Sequence, residues 1–360
     1  MLMTTRERFL KVFRWDVPDR LPDLEFGYWD ETFEVWRRQG LPDAVRNNED
    51  AERYFGLEGI SIFVKAPIAN GLYPPFEKKV LRDLGSRLLI QDEDGNIAEV
   101  PAARGSMPKF HKHLIESRED WNRIKRELLN PDDPGRVGDI TAAAEEARRL
   151  GTIVRFDGGS LYGWPRNWMG LERFSIALIE EKAWVEEMIE HLTELTLSLI
   201  ARCVSAEDID VAWWWEDMCY NHGPLLSPRL FEGLFVPRYT RITDALRRRG
   251  IDLNVLDCDG RIMELVPGWL KAGINVMFPI EALHTSPFKL REDYGERVLL
   301  LGGVNKMSLI RGRDAIDTEL ENLRPLIERG GFIPTVDHRV PPDVSLENYR
   351  YYLERKKGIL

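Results

Sequence analysis

From residue 138 to its end the chain repeats one rhythm: a short apolar run, a turn, then a longer stretch with apolar positions three and four apart. The runs TIVRFDGG, DIDVAWWWED, DLNVLDCDG, INVMFPIE, RVLLLGGVN and GGFIPTVDH read as strands. They are apolar at consecutive positions, as parallel strands covered on both faces are. Helical spacing fills the intervals at 140–150, about 170–180, 183–203, 228–249, 261–272, 286–294, 313–329 and 345–357. Gly151 and Gly273 stand where two of these helices stop. Six strands alternating with helices predict an α/β fold. With further strands from the first 138 residues, the count is that of a (β/α)8 TIM barrel. An open doubly wound sheet is the alternative, but no GxGxxG follows any strand and no GxxxxGK[ST] occurs.

The first third departs from this rhythm. Thr4 and Glu7 have capping-box spacing ahead of Phe9, Leu10, Val12 and Phe13, so an N-terminal helix is expected, ended by Pro18 and Pro22. A second helix is read over 28–40, stopped by Gly40. Over 77–101, apolar and polar residues alternate around Gly85 and Asp94-Gly95, which predicts a small β-hairpin excursion. No repeat or Gly/Ser-rich linker interrupts the chain, so residues 1–360 are read as a single domain carrying that insertion.

Composition then narrows the partners. Against 50 Lys and Arg stand 60 Asp and Glu, and a net charge of −10 argues against a duplex nucleic acid. The longest apolar runs, VAWWW and INVMFPI, fall far short of the ~18 residues of a membrane span. The N-terminus has no signal-peptide core, and Cys203, Cys219 and Cys258 form no CxxC pair. The expectation is a cytoplasmic protein acting on a small molecule, with its oligomeric state open.

In such a barrel the chemistry lies where strands end. Those ends carry Asp157, Glu216 with Asp217, Asp257 with Asp259, Glu281, Asn305 and Asp337-His338. One acid at a strand end is an ordinary helix cap. Several on one rim without basic counterparts repel each other, and a cation, a shared proton or a cationic substrate relieves that. Asp257 and Asp259, two apart, are expected to point to one side, and Cys258 between them to the core. Glu216, Asp217 and His338 are read as catalytic, with Glu216 either a further ligand of the same cation or the partner of His338. Asp157, Glu281, Asn305, Tyr162, Trp164, Trp168 and Trp215 are read as substrate-binding, because aromatic walls receive methylammonium or aryl ether groups.

Long segments carry a resemblance: TTRERFLKVFRWDVPDRLP, DCDGRIMELVPGWLKAGINVMFPIE, RVLLLGGVNKMSLIRG and GGFIPTVDHRVPPDVSLENYRYYL. They resemble the uroporphyrinogen decarboxylase superfamily of TIM barrels, which has a decarboxylating and a methyl-transferring branch. The decarboxylases' Arg-Gln-Ala-Gly-Arg segment has no counterpart in DLEFGYWDETFEVWRRQG, nor their catalytic aspartate in FGLEGISIFV. Their tyrosine after the third strand falls near Asn167 or Trp168, and only His338 matches their histidine. The methyl-transferring branch holds zinc with a His-x-Cys pair and a later Cys. The resemblance puts Asp257, Asp259 and His338 on those positions, all three competent but harder ligands. It therefore implies a metal-dependent methyltransferase, zinc being the favoured metal, with a corrinoid protein or thiol as methyl partner. The alternatives are a metal-free decarboxylase and a barrel that only binds a ligand.

Overall fold

Thr4 opens the first helix as its spacing requires. In the computed structural model, which describes residues 2–102 and 108–359, Thr4 Oγ1 accepts from Glu7 N and the Glu7 carboxylate accepts from Thr4 N at 2.7 Å. This helix, α1 (Thr5–Phe13), is followed by α2 (Asp30–Arg38), α3 (Asn48–Phe55) and the short strand β1 (Phe63–Lys65). The chain then leaves the barrel for an antiparallel sheet of β2 (Lys79–Asp83), β3 (Arg87–Gln91), β4 (Ile97–Pro101) and β5 (Lys109–Lys112). The expected hairpin is thus a four-stranded sheet reaching residue 112. Its outer strands β2 and β5 are exposed along their whole length, so no buried face marks β5 in the sequence.

The alternating part begins with α4 (Arg118–Glu127), α5 (Ile140–Leu150), β6 (Ile153–Gly159), α6 (Gly163–Met169), α7 (Leu171–Glu180) and α8 (Lys182–Cys203). Next come β7 (Val211–Trp215), a two-residue ribbon of β8 (Cys219–Tyr220) and β9 (Gly223–Pro224), α9 (Pro228–Leu234), α10 (Val236–Arg248) and β10 (Asn254–Asp257). The remainder is α11 (Val266–Lys271), β11 (Val276–Phe278), α12 (Pro287–Tyr294), β12 (Leu299–Val304), α13 (Lys306–Arg311), α14 (Arg313–Arg329), β13 (Phe332–Val336) and α15 (Leu346–Lys357).

Two expected helices are corrected. The one over 228–249 is two helices, and the one over 261–272 starts only at Val266. In both places a proline, Pro237 or Pro267, occupies the first turn of the helix that follows, where a missing N–H costs nothing.

The seven parallel strands run in the order β1-β6-β7-β10-β11-β12-β13. The eighth stave is the extended segment 23–29. Val340 N donates to Gly27 O at 2.9 Å and Trp29 N to Val340 O at 3.2 Å, while on the other flank Glu58 N donates to Asp23 O at 3.0 Å. Inside the barrel, Phe63, Ile153, Val211, Trp213, Val255, Val276, Phe278, Leu301 and Ile333 form one apolar cluster, plugged by Phe9, Leu10, Val12 and Phe13 of α1. The complementary strand faces join the helices in the larger outer cluster, which contains Cys258. Among the described residues no helix is long and apolar enough to cross a membrane.

Candidate functional site at the barrel mouth

Strand alternation that places Ile153 and Val211 in the barrel's core also turns Arg155, Asp157, Trp213 and Trp215 inward, nearer its C-terminal mouth. The acids there are not left without basic counterparts, which corrects the expectation of a one-sign rim. Lys65 Nζ lies 2.8 Å from Asp157 Oδ2, and Gly159 N donates to Asp157 Oδ1 at 3.1 Å. Arg166 donates to Asp217 O at 2.5 Å, lies 3.4 Å from Asp217 Oδ2, and covers the Trp215 ring. Lys306 Nζ lies 2.8 Å from Glu281 Oε1 and 3.6 Å from Asp337 Oδ1. Asp337, fully buried, accepts from Ala282 N and Lys306 N and so ties β13 to the two loops before it.

Asp259 and His338 meet, with His338 Nε2 3.3 Å from Asp259 Oδ2. The imidazole is stacked on Trp29 at 5.4 Å and touches the edge of Phe26, so its plane is fixed from two sides. Asp259 is held by its neighbour. Gly260 (φ +80°) donates to Glu281 Oε2 at 2.8 Å, and a Cβ there would meet the Tyr220 backbone at 2.6 Å. Asp257 retains some open surface but is so deep among protein atoms that desolvation pushes its carboxyl well above the carboxylate range. The charges of Asp259 and Asp217 push the same way, against that of Arg155. Burial likewise raises the Asp217 carboxyl, with Asp259 adding to it against Arg166.

Asp257, Asp259 and His338 therefore do not form a ligand set. Among the described residues, no three His, Cys, Asp or Glu side chains are grouped closely enough to hold an ion. The donors brought together here are those of a hydrogen-bonded pair, Asp259 with His338.

Several residues expected at the site lie elsewhere. Glu216 is wholly buried and faces away from His338; it accepts from Leu161 N at 2.9 Å, Tyr162 N at 2.8 Å and Ser160 Oγ at 3.1 Å, anchoring the turn into α6. Tyr162 packs edge-on against Phe174 in the core. Trp164 stacks on the buried Trp168, its ring close over Gly71 and over Gly159 at the end of β6. Asn305 caps α13 through Met307 N. At the mouth remain Asp157, Trp215, Asp217, Asp257, Asp259, Glu281 and His338.

The sequence reading missed the cations Lys65, Arg155, Arg166 and Lys306 and the aromatics Phe26 and Trp29. Arg155 and Asp157, two apart in an otherwise apolar strand, were the available signal of a polar barrel end. Backbone strain gathers on the same rim. Of three non-glycine residues at positive φ among the described residues, Asp217 (φ +47°) and the β-branched Ile280 (φ +53°) follow barrel strands.

Comparison with known proteins agrees with this architecture. Residues 96–358, most of the chain, match the family model described as uroporphyrinogen decarboxylase (URO-D). A solved structure of a methyltransferase from Methanosarcina mazei superposes with a TM-score of 0.62 over 99% of both chains, at 15% identity, and so shares the fold. The chain belongs to the uroporphyrinogen decarboxylase family.

Proposed function

We propose that this member of the uroporphyrinogen decarboxylase family is a methyl-transferring enzyme that binds a small molecule at the barrel mouth. A thiol or the corrinoid of a partner protein is its methyl acceptor. The observation that carries the reading is the Asp259–His338 pair, built on the positions that hold the reactive centre in the methyl-transferring branch. In such a transfer the acceptor's electron pair forms the new bond to carbon while the donor heteroatom keeps the pair of the broken one. An acceptor thiol gives up a proton and a departing alkoxide or amine takes one. An imidazole oriented by a carboxylate serves both needs. Phe26, Trp29, Trp213, Trp215 and Phe278 supply the apolar wall against which a methyl group loses little on leaving water. The methyltransferase nature of the Methanosarcina neighbour is in keeping with this reading.

The test is an assay with methylated amines, aryl methyl ethers and methyl thioethers as donors, and a thiol or a reduced corrinoid protein as acceptor. Asp259→Asn and His338→Asn are expected to lower turnover by about 100-fold or more with an unchanged circular-dichroism spectrum. Full activity in both variants defeats the reading. Elemental analysis of untagged protein, run alongside, reports whether any ion is retained. Decarboxylation is a second reading, favoured by one observation: Lys65 and Arg155 put positive charge inside the mouth, where a substrate carboxylate would lie.

A further inference from the structure

Arg155 differs from the other arginines enclosed by this fold. Arg136 donates to four carbonyls, those of Asn130, Ala69, Gly71 and Leu128. Arg291 does the same with Gly295, Val298, Gly330 and Gly331. Their charge is used up in holding loops. Arg155 lies inside the barrel with its guanidinium carbon 4.9 Å from the centre of the Trp213 ring. Its Nε is buried without a hydrogen-bond partner, and no ion pair or side-chain hydrogen bond of Arg155 forms among the described residues. Of the two acids whose charge reaches it, Asp157 is paired with Lys65 and Gly159 N, and Asp257 makes no ion pair among the described residues. The other cations of the mouth, Lys65, Arg166 and Lys306, each have a carboxylate.

Leaving a guanidinium edge unpaired in a partly dry site costs free energy that a fold recovers only when something docks there. The half-buried residue keeps its surface at the outer end of the guanidinium, where the two Nη–H groups form a parallel fork matching the two oxygens of a carboxylate, with Trp213 packed against the group. Lys65, in register with Arg155 on the adjoining strand and half exposed, adds charge beside it. We propose that Arg155 anchors the substrate by a carboxylate, so that the molecule processed here is an organic acid whose reacting end reaches towards Asp259 and His338. This rests on the mouth being the site, as argued above, but not on the reaction being methyl transfer.

The experiment uses the whole chain and defined probes: acetate, malonate and succinate, each beside its neutral amide, and inorganic phosphate. Thermal shift and calorimetric titration are recorded for wild type, Arg155→Met and Arg155→Lys. A saturable stabilisation by at least one carboxylate, absent for its amide, weakened tenfold or more in Arg155→Met and partly kept in Arg155→Lys, is the expected result. Should Arg155→Met fail to fold, the Lys variant still decides, because a lost fork weakens binding while a bystander charge leaves it unchanged. No carboxylate preference in the wild type, the same preference in every variant, or a stronger response to phosphate than to any carboxylate overturns the proposal. Methyl transfer with no role for Arg155 sinks the anchor alone. Carboxylate binding through Arg155 without methyl transfer from any donor sinks only the reaction proposed above.

Discussion

Asp257 is the mouth residue whose charge the fold opposes most strongly, since burial and two neighbouring carboxylates all raise its pKa. An acid held above its unfolded value binds more protons in the folded state across the window between the two pKa values. Its contribution to stability is therefore full below the unfolded value near 4 and is lost as the pH rises through that window. Asp257→Asn removes the charge that cannot be accommodated and keeps the shape. Urea denaturation should show the variant more stable than wild type at pH 7, by about 1.4 kcal/mol for each unit of displaced pKa. The two should converge as the pH falls towards 4. A variant less stable than wild type at pH 7 means that Asp257 is ionised in the fold, the neighbouring Arg155 charge outweighing its burial. The acids of this site were legible in the sequence because they end strands, and that is where a barrel keeps its chemistry. Their partners were not: Arg155 and Lys65 lie within short strand runs, and Arg166 and Lys306 in short helices, where a cation reads as an ordinary solvated residue.

At the scale of elements, the junction of β6 and α6 depends on Glu216, although that residue follows β7. Three successive groups of the turn, Ser160 Oγ, Leu161 N and Tyr162 N, converge on one buried carboxylate, which also complements the positive end of the helix. Glu216→Ala would leave three backbone donors, those of Leu161, Tyr162 and Gly163, unpaired in the core, a loss of about 3 kcal/mol or more. Because α6 carries Arg166, the loosened turn should also release Asp217 at the rim. Denaturation midpoints check the first effect, and substrate affinity lowered far more than turnover checks the second; an unchanged midpoint refutes the account. Helices with a broad apolar face, such as 313–329 and 345–357, were legible almost to the residue, since period and end signals agreed there. Where a proline began a new helix, period alone carried the reading past the break at Phe235. Strand β5 carried no signal at all, because nothing covers either of its faces.

At the scale of the molecule, the barrel closes through a segment that sequence rhythm did not mark as a strand, and the closure is clamped from outside. Residues 23–29 share few backbone bonds with their neighbours, so side chains secure them. Lys356 of α15, with no exposed surface, donates to Leu24 O at 2.6 Å and Glu25 Oε1 at 2.7 Å and lies 3.0 Å from Asp23 Oδ1. Glu25 also accepts from Tyr352 Oη at 2.7 Å and from Val336 N at 3.0 Å, which joins the segment to β13. Tyr349 of the same helix is packed inward, its buried hydroxyl 2.7 Å from that of Tyr28. Removing the cation alone leaves two carboxylates facing each other in the core, whereas removing charge from both sides leaves a nearly neutral contact. Lys356→Met should therefore cost about 3–5 kcal/mol. Adding Glu25→Gln should recover part of that loss, because the amide still pairs with Tyr352 and carries no charge to bury. Urea denaturation of the two variants measures both steps. If the double variant is no more stable than Lys356→Met, the charge on Glu25 is not what makes the single loss large, and the segment is held by its apolar side chains Leu24 and Phe26 instead.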